Sequence, residues 1–213
     1  MPAMAVAAAV KLRADATRNR ERIIVAAREA LLEHGTDAPL DEIAKRAGVG
    51  NATVYRHFAD RQELSLQVAL SVMDRITQRA EEALAQEPDA FDALRRFVHE
   101  AADERVGALC PMLSTGFGKG DPRLEEGRVR LERAIEELMA AGRRSGRLRT
   151  DIDVGDVMVA VSQLTRPLPG KHCGSMERFI RRHLQLFVDG LQAPARSELP
   201  GDSATFEDLR QCR

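Results

Sequence analysis

The segment NATVYRHF, residues 51–58, carries five polar side chains at a spacing that lets them share the outer face of a short helix. Val54 and Phe58 lie four residues apart, so both can be buried on the opposite face. Amide, hydroxyl, imidazole and guanidinium groups form hydrogen bonds with base edges and phosphate oxygens. We therefore interpret five residues as candidates for contacting nucleic acid: Asn51, Thr53, Tyr55, Arg56 and His57.

The residues just before this segment predict another short helix and a tight turn. Leu40, Ile43, Ala44 and Ala47 recur at helical spacing and form one apolar face. Gly48 follows the last of them, and glycine tolerates the left-handed conformation that a sharp reversal needs. Two helices joined in this way form a helix-turn-helix, whose second helix enters the major groove of DNA.

The stretch IAKRAGVGNATVYRHFADRQEL resembles the DNA-binding core of the TetR family of bacterial transcriptional regulators. The resemblance rests on AGV in the turn, on a Tyr-x-His-Phe pattern in the second helix, and on a basic residue with Glu-Leu opening the next helix. It covers about residues 18 to 70 by motif. It implies an all-α fold of about nine helices, with an N-terminal three-helix head and a larger C-terminal domain for ligand binding and dimerisation.

Position along the second helix predicts the role of each side chain, because its N-terminal part meets base edges while its flanks meet phosphates. Asn51 and Thr53 are therefore the candidates for reading bases. The resemblance implies phosphate contacts for Tyr55, for His57 and for Arg61 at the start of the next helix.

Arg56 and Arg46 are further candidates because each adds a positive charge to the motif. Simpler roles remain open for several of these residues. Tyr55 could pack against the first helix with its hydroxyl in water, and His57 could cap a neighbouring carbonyl. Arg46 could belong to a solvated face of its helix.

Composition limits the class of protein. The 213 residues include 32 basic and 33 acidic residues, which argues against a protein that coats nucleic acid by charge alone. Three distant cysteines without a CxxC pair indicate neither a disulfide framework nor a zinc site, so we expect a reducing cytoplasmic location, no metal and no cofactor. No stretch is long and apolar enough to suggest a membrane partner.

Gly and Pro positions predict the organisation of the chain. We predict a flexible basic arm over 1–17, a helix-turn-helix domain over 18–63, an effector-binding and dimerisation domain over 64–191, and a polar, loosely packed tail over 192–213. The first helix is expected from about Thr17 to His34, the fourth over 61–86 and the fifth over 90–108. Asp153 and Asp156 resemble a capping box that opens a later helix.

The resemblance implies a cavity for a small-molecule effector in the larger domain. Methionine, phenylalanine and cysteine would give it a soft, adaptable lining, with one amide to orient the ligand. The alternative is that these residues are ordinary core. The candidates are Met73, Phe97, Cys110, Met112, Phe117, Met139, Met158 and Gln163.

The last two long helices carry more apolar residues than a solvent-facing helix needs. The resemblance implies that they form a four-helix interface between two copies of the chain. The alternative is a pair of core helices in a monomer, because periodicity cannot distinguish burial within a chain from burial between chains. The interface candidates are Val157, Val161, Phe179, Ile180, His183 and Phe187.

These inferences predict a homodimeric repressor that binds a palindromic operator in double-stranded DNA and is released by an unknown small molecule. A helix-turn-helix protein without an effector is the closer alternative, and a helical enzyme is the more distant one. We predict no enzymatic activity, because the sequence has no nucleophile motif, phosphate loop or metal-ligand spacing.

Overall fold

A computed structural model of the chain describes residues 2–107, 120–166 and 176–211. Apart from one isolated bridge between Leu148 and Gln192, the described residues form no β-structure. The predicted all-α class is therefore confirmed. The nine α-helices of the described residues are α1 Pro2–His34, α2 Leu40–Ala47, α3 Asn51–His57, α4 Arg61–Gln86, α5 Ala90–Asp103, α6 Pro122–Arg144, α7 Val154–Leu164, α8 Met176–Gly190 and α9 Phe206–Gln211.

The start of α1 differs from the sequence prediction. The helix begins at Pro2, whereas we expected it to begin near Thr17 after a flexible arm. The opening MPAMAVAAAV explains the difference, because alanine has the highest helix propensity and lets the helix extend toward the N-terminus. The basic residues of the expected arm therefore belong to the helix itself.

The chain divides into two compact units between Ser71 and Val72, inside α4. The division lies a few residues after the boundary that we predicted between residues 63 and 64. The first unit contains α1 to α3 and the first part of α4. Its core brings together apolar residues from all four helices, including Ile23, Ala27, Leu31, Ile43, Ala47, Val54, Phe58 and Leu64.

The second unit contains the rest of α4 and helices α5 to α9. Within it α5 packs against α6, α7 and α8, and α7 also packs against α8 and α9. No described helix combines the length and the apolar character that crossing a bilayer would need. The largest fully buried side chains of this unit include Phe91, Phe97, Leu94, Leu124, Ile135, Leu138, Met139, Leu148 and Leu184.

Carboxylates cap the helices of the second unit at their N-termini. Asp89 accepts hydrogen bonds from the backbone N–H of Phe91 and Asp92 at 2.9 and 3.0 Å and opens α5. Asp153 and Asp156 form the predicted capping box at the start of α7. Each carboxylate satisfies backbone donors that have no partner inside their helix.

Helix α5 ends earlier than predicted. We expected it to continue to residue 108, but it stops at Asp103 and Glu104 forms its C-cap. Arg105 adopts a left-handed conformation with φ +53°, which a continuing helix cannot accommodate. The chain therefore turns away before Gly107.

The C-terminal tail has residues 194–203 exposed, as a loosely packed segment would, but it also forms specific hydrogen bonds with the second unit. The main chain of residues 191–193 pairs with residues 147–149, and Ala204 donates to the carboxylate of Asp156 at 3.1 Å. The polar composition of the tail does not predict these contacts, because the groups that bind the tail belong to other parts of the chain. The short helix that we expected within residues 110–123 lies mostly outside the described residues.

Candidate DNA-contacting surface

The turn between α2 and α3 has the geometry that the sequence predicts. Gly48 ends α2 with φ +63° and ψ +39°, in the left-handed region. The next residue, Val49, donates its backbone N–H to the Ala44 carbonyl at 3.0 Å, which closes the end of α2 in a Schellman-type arrangement. Gly50 then accepts from the Thr53 N–H at 2.8 Å and begins α3.

Helix α3 exposes the row of polar side chains that we singled out. Val54 and Phe58 are buried, as predicted, and they fix the opposite face outward. Asn51, Tyr55 and Arg56 are exposed, and their neighbours Thr53 and His57 are half-buried. The Tyr55 side chain is 57% exposed, which is against its alternative role of packing on the first helix.

Residues outside the motif support α3 from beneath, and the sequence analysis assigned them no such role. The Arg20 guanidinium lies over the Phe58 ring at 5.4 Å and donates to the Gln67 side chain. Gln67 in turn donates to Glu63 at 2.7 Å. Arg20 on α1 therefore links the end of α3 to the first turns of α4.

Arg61 is the first residue of α4 and its side chain is exposed. It follows the end of α3 by four residues. Asp60 precedes it and accepts from the backbone N–H of Glu63 at 2.7 Å. This bond caps α4 and sets where the helix begins. The position of Arg61 follows from that cap.

Asn51 has a partner that the sequence did not reveal. Its side-chain amide donates to the carboxylate of Asp41 on α2. The amide N–H₂ is therefore satisfied in the free protein, and a bidentate contact with adenine would have to compete with Asp41. The two side chains are both exposed, so this exchange needs no rearrangement of the core.

His57 lies at the edge between the surface and the core of the first unit. Its Nε2 atom is buried and has no hydrogen-bond partner among the described residues, so that atom caps no carbonyl. Burial lowers the pKa of His57 below its ordinary value of 6.5, and the positive charges of Arg56 and Arg20 lower it further. The imidazole is therefore held neutral at pH 7.

Arg46 is engaged within the head rather than presented to solvent. Its guanidinium donates to both carboxylate oxygens of Glu33 on α1 and to Glu42 at 2.9 Å. The hydrogen bonds with Glu33 and Glu42 raise the pKa of Arg46. The hydrogen bond from Arg46 in turn lowers the pKa of Glu42. A phosphate contact by Arg46 would have to replace these ion pairs, and the pairing also differs from the alternative of a solvated helix face.

The residues predicted to bind an effector lie in the second unit, where the structure describes them. Met73, Phe97, Met139 and Met158 are all buried, as a lining or a core requires. Gln163 is exposed at the end of α7, unlike these four residues, and its contact with an effector stays a prediction. Cys110, Met112 and Phe117 lie outside the described residues.

The residues predicted to form a dimer interface fall into two groups. Val157 and Val161 are completely buried by their own chain, so the prediction that they face a second copy is wrong. Phe179 and His183 are exposed on α8, and Ile180 and Phe187 on the same helix are half-buried.

Leu186 belongs with these α8 residues, and sequence reasoning missed it. It is 59% exposed and lies seven residues after Phe179, two turns along one helix face. The exposed α8 face, defined by Phe179, His183 and Leu186, therefore carries two large apolar side chains. That seven-residue spacing was the signal that could have found it.

Comparison with curated proteins finds similarity in the head. The chain is 34% identical over 85 residues to the HTH-type transcriptional activator FasR of Mycolicibacterium smegmatis. It is 45% identical over 62 residues to the HTH-type transcriptional regulator SrpR of Pseudomonas putida. The matches span 39% of the first relative and 29% of the second, and the same shares of this chain.

Solved structures extend the similarity to the whole fold. A TetR transcription regulatory protein from Mycobacterium vanbaalenii is 32% identical with a TM-score of 0.63, and the match covers 85% of this chain and 99% of that one. The TetR transcriptional regulator SCO0520 from Streptomyces coelicolor is 28% identical with a TM-score of 0.65, over 83% and 99% of the two chains.

Family models match both units of the chain. The model for bacterial regulatory proteins of the tetR family matches residues 23–68. The model for the C-terminal domain of SbtR-like transcriptional regulators matches residues 89–193. With a helix-turn-helix that exposes a polar face on α3, and with these matches, the chain belongs to the TetR family of bacterial transcriptional regulators.

Proposed function

We propose that the protein is a homodimeric repressor that reads a palindromic operator with α3 and is released from it by a small-molecule effector. The observation that carries the DNA-binding part is the orientation of α3. Its buried pair, Val54 and Phe58, leaves Asn51, Tyr55 and Arg56 exposed on a helix that begins directly after a tight turn. That is the presentation needed for a recognition helix in a major groove.

Base reading is assigned to Asn51 and Thr53 in the first turn of α3, and backbone contacts to Tyr55, His57 and Arg61. The first-turn residues can reach base edges, where a bidentate Asn contact with adenine discriminates by about 1–3 kcal/mol. His57 is the last residue of α3 and Arg61 the first residue of α4, so both can meet phosphates beyond the C-terminal end of α3.

The exposed α8 face supports the homodimer. Phe179 and Leu186 are 47% and 59% exposed, although phenylalanine and leucine are residues that folding normally buries. The occupant we propose is a second copy of α8, since a two-fold dimer brings the same patch of both subunits together. A dimer also supplies the two heads that a palindrome requires.

Control by a small molecule is proposed for the second unit. Met73 on α4, Met139 on α6 and Met158 on α7 bury flexible thioethers, which can repack around an apolar ligand more easily than branched side chains can. Helix α4 is continuous from Arg61 in the first unit to Gln86 in the second. A ligand that displaces the second half of α4 would therefore also move the helix that carries Arg61.

Selection of duplexes from a randomised pool tests the proposal without knowledge of the target gene. We expect the purified chain to enrich a palindrome whose half-sites lie about 34–36 Å apart, which is one turn of DNA, or a multiple of that distance. Enrichment of a single asymmetric site would contradict the dimeric mode. A lack of any enriched sequence would contradict specific DNA binding.

The effector is tested by thermal unfolding with candidate metabolites, followed by binding to the selected duplex. A compound that binds the folded form must raise the melting temperature. Loss of duplex affinity with that compound supports a repressor released by its effector. Increased affinity would instead favour a regulator that the effector recruits to DNA. One relative in the comparison is named as a transcriptional activator.

A further inference from the structure

The last part of the chain, residues 194–211, is held on the second unit by hydrogen bonds from residues of other segments, which its own sequence does not predict. We refer to it as the C-terminal strap. It lies beyond residue 193, where the C-terminal family match ends. Two groups of contacts, one at each end, fix it to the helices α7 and α8.

Arg149 forms the first anchor. Its side chain is only 7% exposed and pairs with Asp151 through two hydrogen bonds of 2.7 and 2.8 Å. The same guanidinium donates to the Gly190 carbonyl at 3.1 Å and to the Ser197 carbonyl at 2.9 Å. Gly190 ends α8, so one buried cation binds the end of that helix and the strap together.

The main chain reinforces this anchor. The Arg149 N–H donates to the Leu191 carbonyl at 3.0 Å, and the Ala193 N–H donates to the Arg147 carbonyl at 2.9 Å. These bonds pair the residues before α7 with the residues after α8 in antiparallel fashion. The strap therefore leaves α8 in a fixed direction.

Gly155 and Asp156 form the second anchor, in the first turn of α7. A Cβ atom on Gly155 would lie 2.2 Å from the Ala204 carbonyl oxygen and 2.5 Å from that of Thr205, distances that no side chain tolerates. Asp156 accepts the Ala204 N–H at 3.1 Å with one oxygen and the Asp153 N–H at 2.8 Å with the other. The strap is thus seated directly on the backbone of α7.

Beyond this seat the strap forms its own local structure. Thr205 and Asp208 exchange hydrogen bonds of 2.8 and 3.2 Å and open α9, which packs against α7. The bonds from Thr205 lower the pKa of Asp208, so this carboxylate stays charged and keeps its cap. Ala204 is therefore held by α7 through Gly155 and Asp156, and the next residue, Thr205, is held by the cap of α9.

We propose that the strap is a clasp that holds the end of α8 and the start of α7 in a fixed register, with Arg149 and Gly155 as its two anchor points. The contacts on Ser197 and Ala204 lie on one continuous segment, so we expect loosening of one anchor to weaken the other. The clasp depends on neither DNA nor an effector.

Hydrogen exchange on the full-length chain tests this clasp. Gly155→Ala places a methyl group against the Ala204 carbonyl, and Arg149→Lys keeps the charge but loses the forked contacts. We expect each variant to speed exchange about tenfold, which corresponds to about 1.4 kcal/mol, at the amides of Ala193 and Ala204 and in the first turn of α7 and the last turn of α8. Gly50→Ala is the matched control, because a Cβ there meets open space and Gly50 lies in the first unit, outside both anchors.

Three results would overturn the proposal. Unchanged exchange at Ala204 in Gly155→Ala would show that the strap is not seated there. Without the strap, replacing glycine by alanine in a helix stabilises the helix, so no faster exchange would be expected. Faster exchange confined to the end that carries the substitution would show two separate contacts. A loosened strap with unchanged helix ends would show that it holds neither helix, and Arg149→Lys decides the question should Gly155→Ala not fold.

Discussion

His57 and Arg61 would meet the same polyanion with different chemistry. Arg61 carries a permanent charge, whereas the neutral state of the His57 imidazole results from burial and from Arg56 and Arg20 nearby. A phosphate beside His57 would oppose those effects, because an adjacent negative charge favours the imidazolium. The two residues therefore predict different dependences on salt and pH.

Affinity for the selected duplex should increase as pH falls toward and below 6.5. The pKa of His57 lies below 6.5 in the free protein and rises in a complex with phosphate, so binding takes up a proton in this range. Fluorescence titrations over a pH series measure the effect. His57→Asn, which cannot titrate, should show a flatter dependence, and an equal slope for both proteins would remove His57 from the phosphate contacts.

Arg61→Ala should reduce the slope of log affinity against log salt by about 1, because one phosphate contact and its released counterions are lost. The loss should be the same for every duplex sequence. Arg46→Ala is the matched control, since its guanidinium is already paired with Glu33 and Glu42. An unchanged slope for Arg61→Ala, or an equal drop in both variants, would contradict this assignment.

Asn51→Ala should change which base is preferred at one position of each half-site. The expected loss of discrimination is about 1–3 kcal/mol at that position, because a bidentate contact would disappear. Repeating the duplex selection with the variant measures it. Uniform weakening of binding to all duplex sequences would instead make Asn51 a contact to the DNA backbone. Its amide would then donate to a phosphate in place of Asp41, its partner in the free protein.

At the scale of elements, the second half of α4 is tied to the end of α5 by a buried acid. Glu104 is only 3% exposed and accepts two hydrogen bonds of 2.8 Å from Arg75. The pair raises the pKa of Arg75. The same turn is pinned to α7, because the Gly107 N–H donates to Thr165 at 2.9 Å and a Cβ on Gly107 would collide with the Ser162 carbonyl.

A double-mutant cycle with Arg75→Ala and Glu104→Gln should give a coupling energy of about 1–3 kcal/mol in chemical unfolding. Glu104 is desolvated, but Arg75 is half-exposed, so solvent weakens the pair. The Arg130–Asp74 pair, which also joins α4 to another helix but is exposed on both sides, is the control and should give below about 1 kcal/mol. Equal couplings would contradict the importance of burial here.

At the scale of the whole molecule, the proposed homodimer depends on the exposed α8 face. Leu186→Glu places a charge on this face, and we expect it to weaken self-association about tenfold or more, equivalent to 1.4 kcal/mol. Val129→Glu is the control, because Val129 on α6 is 56% exposed, close to the 59% of Leu186. Sedimentation measures both. A similar effect in the two variants, or none in either, would contradict the proposed interface.

Local patterns determined much of the fold. The apolar spacing in α2 and α3, the left-handed Gly48 and the Asp153–Asp156 capping box were all predicted and are confirmed, because each signal acts within one turn of helix. The limits of α4 were predicted for the same reason. The TetR resemblance rests on the local motif in α2, α3 and the start of α4 and is confirmed.

Contacts between distant parts of the chain were decided only in the tertiary structure. Val157 and Leu186 both lie on helices with an apolar stripe, yet one is fully buried and the other exposed, since burial depends on the helices that pack around each residue. Likewise the polar strap is held by Arg149 and Gly155, far from it in sequence. Sequence thus determined the helices and their polar face, and packing determined which surfaces remain available.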